Sequence, residues 1–254
     1  MKTCIIYYSP CGTTAALANA VAAGLGFEDA IGLDLAAPEN RRIPYEPGAY
    51  EVTVFAFPVY HKALPELCLP YLKSIEGGGN SPAVLLVNGG GEGFGTVLQQ
   101  LNKLVSERGF TVIAGGEFVS NHSFAPGLSA GRPSEADIDE AVNLGRGALQ
   151  KLSGPIEPVE IGSADLSPAL FWPSYEIKVS DACTGCGLCA RSCVCGAINP
   201  TDPTETDSLR CTMCMRCISI CTERARSIED PEYKARARYI ELTEAKDRKI
   251  KIVL

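Results

Sequence analysis

The chain has 254 residues, 46% of them hydrophobic and 21% charged, the balance of a globular protein with a packed core and one or two domains. A formal net charge of −7 argues against a nucleic-acid or anionic-membrane partner, because phosphate binding needs a basic surface. No apolar run approaches the ~18 residues of a membrane-spanning helix, and the segment from Met1 to Tyr8 ends too abruptly at Ser9-Pro10 for a secretory signal, so the chain is expected in the cytoplasm, where thiols stay reduced.

Residues 1–152 alternate short Val/Ile/Leu runs with helical stretches. Strands are predicted at 3–8, 30–35, 52–57, 83–87 and 111–118, and helices near 13–24, 63–75, 96–108 and 134–152. This alternation predicts an α/β domain with a doubly wound, five-stranded parallel sheet, for which 2-1-3-4-5 is the flavodoxin-like order. Ligands of such sheets bind beyond the carboxyl ends of the strands.

Three loops at those ends carry the candidate residues. Ser9-Pro10-Cys11-Gly12-Thr13-Thr14 follows the first strand and opens a helix. Free N–H groups and the positive end of the helix dipole suit a phosphate there, and the hydroxyls of Ser9, Thr13 and Thr14 add donors. Neither a Walker A pattern nor G-x-G-x-x-G is present, which makes ATP and NAD the weaker choices. The plainer reading is a βα turn capped by threonine. Pro58-Val59-Tyr60-His61 ends the third strand, and Asn88-Gly89-Gly90-Gly91-Glu92-Gly93-Phe94-Gly95 ends the fourth. Tyr60 could stack on a ring. His61, and His122 after the fifth strand, could move protons or simply be loop residues. The long stretch 121–133 could close over a pocket. Cys4 and Cys68 read as core residues.

Residues 153–176, with Pro155, Pro158, Pro168 and Pro173, read as a linker whose Phe171-Trp172 pair docks on one of the domains. Beyond it lie nine of the twelve cysteines. Cys183-x2-Cys186-x2-Cys189-x3-Cys193 recurs 28 positions later as Cys211-x2-Cys214-x2-Cys217-x3-Cys221. A [4Fe–4S] cube takes four thiolates, three of them from a tight loop. Zinc is the usual alternative for C-x2-C, but it prefers separated pairs and leaves the third cysteine of each run without a task. Gly185 and Gly187 let the backbone bend and aim N–H groups at sulfur. Cys195 is a ninth cysteine beside these runs, read as a spare thiol, a substitute ligand or plain packing. Residues 231–254 form a basic extension with a local charge of +3.

Residues 177–228 resemble bacterial 2[4Fe–4S] ferredoxins, and Cys193-Val194-Cys195-Gly196-Ala197-Ile198 keeps the shape of that family's Cys-Pro-x-x-Ala-Ile stretch. The resemblance implies a ferredoxin domain over 177–230 with crossed ligation. One cluster takes Cys183, Cys186, Cys189 and Cys221, and the other takes Cys211, Cys214, Cys217 and Cys193. The family's proline after each fourth cysteine is replaced by Val194 and Thr222. Ser9, Gly12 and Thr14 match the flavodoxin phosphate loop Ser/Thr-x-Thr-Gly-x-Thr, with Cys11 where threonine is usual. In that family the 58–61 and 88–95 loops border the isoalloxazine. Taken whole, the chain is similar to flavodoxin–ferredoxin fusions of anaerobic bacteria and archaea. That similarity implies FMN in the first domain, two [4Fe–4S] clusters in the second, and electron transfer with redox partner proteins. A substrate reduced at the flavin, a redox sensor and a homodimer are the readings it leaves open.

Overall fold

The apolar runs become strands because each is buried from both sides. The computed structural model describes residues 2–26, 29–91, 93–168, 174–244 and 249–254. β1 (Lys2–Tyr7), β2 (Asp29–Asp34), β3 (Val52–Pro58), β4 (Ser81–Gly89) and β5 (Phe110–Val119) run parallel in the order β2-β1-β3-β4-β5, the flavodoxin-like winding. Every residue of the central β3 is buried, as expected of a parallel strand covered by helices on both faces.

α1 (Thr13–Gly24) and α4 (Glu135–Leu152) cover one face over Leu17, Val54, Leu86 and Phe118. α2 (Leu69–Ser74) and α3 (Val97–Ser106) cover the other over Phe55, Phe57, Leu85 and Leu101. α2 is shorter than the predicted 63–75. Pro65 and Pro70 cannot donate within a helix, and only a 3-10 turn at Glu66–Cys68 precedes it. α1 and α4 touch backbone to backbone: a Cβ built on Gly24 or Gly145 would lie 2.0 Å from a carbonyl oxygen of the opposite helix. α4 begins with a capping box between Ser134 and Asp137, and Arg132 pairs with the buried Asp137 carboxylate.

The segment predicted as a linker is laid along the sheet instead of hanging free. Val159 N–H donates to the Val112 carbonyl, and Ile161 is buried against Gly115 and Leu98. The Phe171-Trp172 pair lies outside the described residues. Next comes a small cysteine module. The ribbon β6 (Lys178–Val179) and β7 (Arg226–Ser227) frames the short helices α5 (Leu188–Arg191) and α6 (Arg216–Ser219). The 28-residue sequence repeat is also a backbone repeat. Left-handed Gly185, Gly187 and Gly196 recur as left-handed Met213, Met215 and Arg224, and the bridge Ile198–Thr206 echoes the ribbon.

The tail corrects the expectation of a five-stranded sheet. α7 (Pro231–Thr243) packs on the cysteine module, and β8 (Lys251–Val253) pairs antiparallel with β5, Ile252 opposite Gly116. The sheet therefore has six strands, and β8 covers the edge that β5 would otherwise expose. No helix among the described residues is long and apolar enough to cross a membrane.

Candidate functional site

The second predicted quartet meets around one cavity. Cys193, Cys211, Cys214 and Cys217 all line one small cavity of about 20 Å³, together with Cys195, Ile198, Met213 and Met215. Sequence spacing alone could not bring Cys193 to a loop that starts 18 residues later; the paired turns of the repeat do so. Cys193 Sγ accepts the Ala197 N–H (3.2 Å), and at the matching position Cys221 Sγ accepts the Ala225 N–H (3.3 Å). Burial pushes the Cys214 thiol up to about 12 and Cys217 up to about 11. Cys193 is held below its ordinary value, first by the hydrogen bond with Cys195, whose Sγ is 3.8 Å away. In the first quartet Cys186 is exposed, and Cys183, Cys189 and Cys221 are half-buried. Cys189 and Cys221 both abut the 225–226 segment.

Among the described residues, no three His, Cys, Asp or Glu side chains converge on a point that one ion could fill. A [4Fe–4S] cube spreads its ligands around a polynuclear core, and half-buried thiols lining an apolar cavity fit such a group better than a single zinc. Two arginines fit it too. Arg216 and Arg226 each have a buried Nε with no partner among the described residues. A buried cation needs compensating negative charge, which thiolate-bound clusters supply.

The module sits on the carboxyl edge of the sheet, where the three candidate loops also meet. Arg216 Nη1 donates to the carbonyls of Ser9 (3.3 Å) and Pro10 (2.9 Å), and Cys11 Sγ donates to the Cys214 carbonyl (3.3 Å). Arg41 Nη2 donates to the Val194 carbonyl (2.8 Å), and Val194 is fully buried in the core of the first domain. Met213 and Met215 pack in one cluster with Phe124. Of these docking residues, Arg41, Phe124, Met213, Met215 and Arg216 were not singled out from the sequence. The signal was there in Met213, Met215 and Arg216, which break the repeat where the first copy has Gly185, Gly187 and Leu188.

The phosphate-loop end has a donor set that fits a phosphate monoester. Gly12 is left-handed at the N-cap of α1 with no side-chain cap, and the space in front of its Cα is open. Cys11 and Gly12 are exposed and Thr13 is half-buried. Two of the predicted hydroxyls turn inward. Ser9 Oγ accepts the Ala15 N–H (3.0 Å), and Thr14 Oγ1 donates to Asn88 Oδ1 (2.8 Å), whose Nδ2 donates to Ser120. Asn88 O also accepts the Val59 N–H, next to Pro58, so the three loops are tied together. Gly89 packs on Val59 and Phe94, Gly90 and Gly91 abut His122, and Gly95 abuts Lys62.

Tyr60 stands edge-on to Tyr8 (centroids 6.1 Å), and its phenol is pushed well up by burial and by neighbouring Cys214, Cys11 and Cys68. His61 occupies a left-handed position in a tight turn bridged by Tyr60 and Ala63. His61 and His122 are held below the ordinary imidazole value, first by burial, with Arg236 acting on His61 and His61 on His122. The 121–133 stretch is folded down: Tyr233 Oη donates to the Phe124 carbonyl (2.9 Å), and Gly127 N–H donates to Glu241 (2.8 Å). Cys4 and Cys68 are core residues.

Neither a family model nor a curated protein matches the chain. Similar solved structures include a flavodoxin from the domain Archaea, 15% identical with a TM-score of 0.42 over 61% of this chain and 100% of that one. Others are oxidised flavodoxin 1 from Bacillus cereus (16%, 0.43, 59% and 98%) and the Streptococcus pneumonia TIGR4 flavodoxin (17%, 0.42, 59% and 99%). At such identities and scores the likeness carries no functional argument, and the fold is given by the strand order.

Proposed function

We propose that this chain is an electron carrier that holds two [4Fe–4S] clusters in its cysteine module and FMN at the carboxyl edge of its sheet. The observation that carries the reading is the cavity walled by Cys193, Cys211, Cys214 and Cys217. When bound, each cluster exchanges one electron and FMN exchanges one or two, which lets such a chain link one- and two-electron partners. Cys211, Cys214, Cys217 and Cys193 would hold one cluster; Cys183, Cys186, Cys189 and Cys221 would hold the other. Gly12, Thr13 and Thr14 would hold the phosphate of FMN, and the 58–61 and 88–95 loops would border its ring. Cys11 and Arg216 join the phosphate loop directly to the Cys211–Cys217 run, so no separate protein is needed between the two cofactors. The opposite run is the one open to partners, since Cys186 and Leu188 are exposed.

A second reading keeps the clusters and leaves the first domain as a flavin-free docking scaffold. The inward hydroxyls of Ser9 and Thr14 favour it. A dedicated small-molecule reductase is the least supported, because α7 already binds the 121–133 stretch. Anaerobic purification with iron, sulfide and flavin counted per chain separates the readings. About eight irons with one FMN supports the first, and about eight without flavin supports the second. A chain that takes up no iron under reconstitution overturns both.

A further inference from the structure

The two copies of the cysteine repeat differ at one buried position in a way that packing does not call for. Five residues after the fourth cysteine the first copy has Ile198 and the second has Arg226. Both are buried, Ile198 at 4% exposure and Arg226 at 4%. An arginine there costs desolvation that isoleucine does not, so its charge must be compensated by something nearby. No described carboxylate does so. Nη1 donates to the Pro203 carbonyl (2.6 Å) and to Cys189 Sγ (3.4 Å), and Nη2 donates to Thr206 Oγ1 (2.6 Å). Nε has no partner among the described residues. Thr206, which takes the Nη2 bond, also lines the cavity shared by Cys193, Cys211, Cys214 and Cys217. Cys189 belongs to one predicted quartet, and Cys217 and Cys211 belong to the other.

We propose that Arg226 is a positioning residue shared by the two cluster sites, a single buried cation that raises the reduction potential of both. The inference rests on the clusters of the proposed function. Adding an electron makes a cluster more negative, and a fixed positive charge in a low-dielectric interior favours that state. Hydrogen bonds to cysteinyl sulfur act in the same direction. Because one guanidinium donates to a thiol of one quartet and to a residue lining the cavity of the other, both potentials are tied to one side chain. Thr206 and the Pro203 carbonyl hold the fork in place, and planar donors on fixed acceptors suit arginine better than lysine.

The test is a reductive titration with dithionite, followed by EPR, on anaerobically reconstituted full-length chain. Arg226→Ile installs the residue of the other copy, Arg226→Gln keeps hydrogen bonding without charge, and Arg226→Lys keeps charge without the fork. Iron and sulfide are counted first, and an unmodified chain that binds none sinks the cluster reading itself. With iron bound, Arg226→Ile and Arg226→Gln are expected to make reduction at least tenfold less favourable at both clusters, about 59 mV each for one electron. Arg226→Lys should retain the greater part of both potentials. Should the two neutral variants fail to hold iron while Arg226→Lys holds it, the need for charge stands. The inference is overturned by a neutral variant that keeps its iron with either potential unmoved, by Arg226→Lys falling as far as Arg226→Ile, or by all three variants losing iron alike.

Discussion

Ligand crossing between the two cysteine runs can be decided by counting iron in double mutants. Cys193 belongs by sequence to the first run, yet its side chain lines the cavity of Cys211, Cys214 and Cys217. Each cluster accounts for about four of about eight irons, so removing one ligand from a quartet should leave about four. Changes within one quartet should therefore fail to add, and changes in different quartets should add. Cys193→Ser combined with Cys214→Ser is expected to keep about four irons, the same as either single variant. Cys189→Ser combined with Cys193→Ser should keep almost none. The variants are made with Cys195→Ala, because Cys195 lines the same cavity and its Sγ is 3.8 Å from that of Cys193, close enough to take its place. Iron and sulfide assays give the counts, and EPR of the reduced chain identifies the surviving cluster by its line shape. If Cys193→Ser with Cys214→Ser empties the chain while Cys189→Ser with Cys193→Ser keeps half, each run ligates its own cluster and the argument from the cavity fails.

Three further outcomes follow from contacts outside the cluster ligands. Arg216→Ala removes a charged donor from the Ser9 and Pro10 carbonyls, for a loss of about 1.5–3 kcal/mol; thermal unfolding and faster amide exchange at 9–16 check it, and unchanged exchange there would contradict it. Gly145→Ala forces α1 and α4 apart at a backbone contact, which should cost about 1–3 kcal/mol while iron content stays constant; an unaltered melting curve would refute the close approach. His122 is held below its ordinary 6.5, and its Nδ1 accepts the Ala125 N–H (3.1 Å), an acceptor that protonation removes. Because the folded value is the lower one, the stabilisation is complete above about 6.5 and is lost as pH falls below it, so protection at 122–128 relative to the intrinsic exchange rate at each pH should fall on going from about pH 7 to 5. His61, Arg236, Glu241 and Glu244 face the same region, and His122→Asn should flatten the profile; a profile unchanged by that substitution would point to one of them instead.

The parallel sheet was legible because burial on both faces writes strands as unbroken Val/Ile/Leu runs, and all five predicted strands lie within a residue or two of the observed ones. β8 was not legible: three residues at the end of a charged tail carry no period, and only the open edge of β5 selects them. The candidate loops were readable as a group, since strand ends in a doubly wound sheet converge by topology. Their side chains were less so. Ser9 and Thr14 look like phosphate donors in sequence, yet each finds an internal acceptor or donor at closer range. Tyr60 looks like a ring platform, yet it stands edge-on to Tyr8, and one group acting on its phenol, Cys214, lies more than 150 residues away.

Comparing the two cysteine runs with each other recovers much of what the single pass missed. A two-fold repeat predicts equivalent residues wherever the two halves have equivalent surroundings, so departures mark where the surroundings differ. Met213 and Met215 hold left-handed backbone that Gly185 and Gly187 adopt without strain. A side chain retained at such a position must gain more from burial than the strain costs, and both methionines are buried with Phe124. Arg216 reaches the phosphate loop, whereas Leu188 at the matching position is exposed. The asymmetry reverses after the fourth cysteine, where Val194 is buried in the first domain and Thr222 is exposed. These four departures trace one continuous docking surface along the carboxyl edge. Arg226 is the departure that docking cannot explain, because it faces inward, and so it belongs to the chemistry of the module itself.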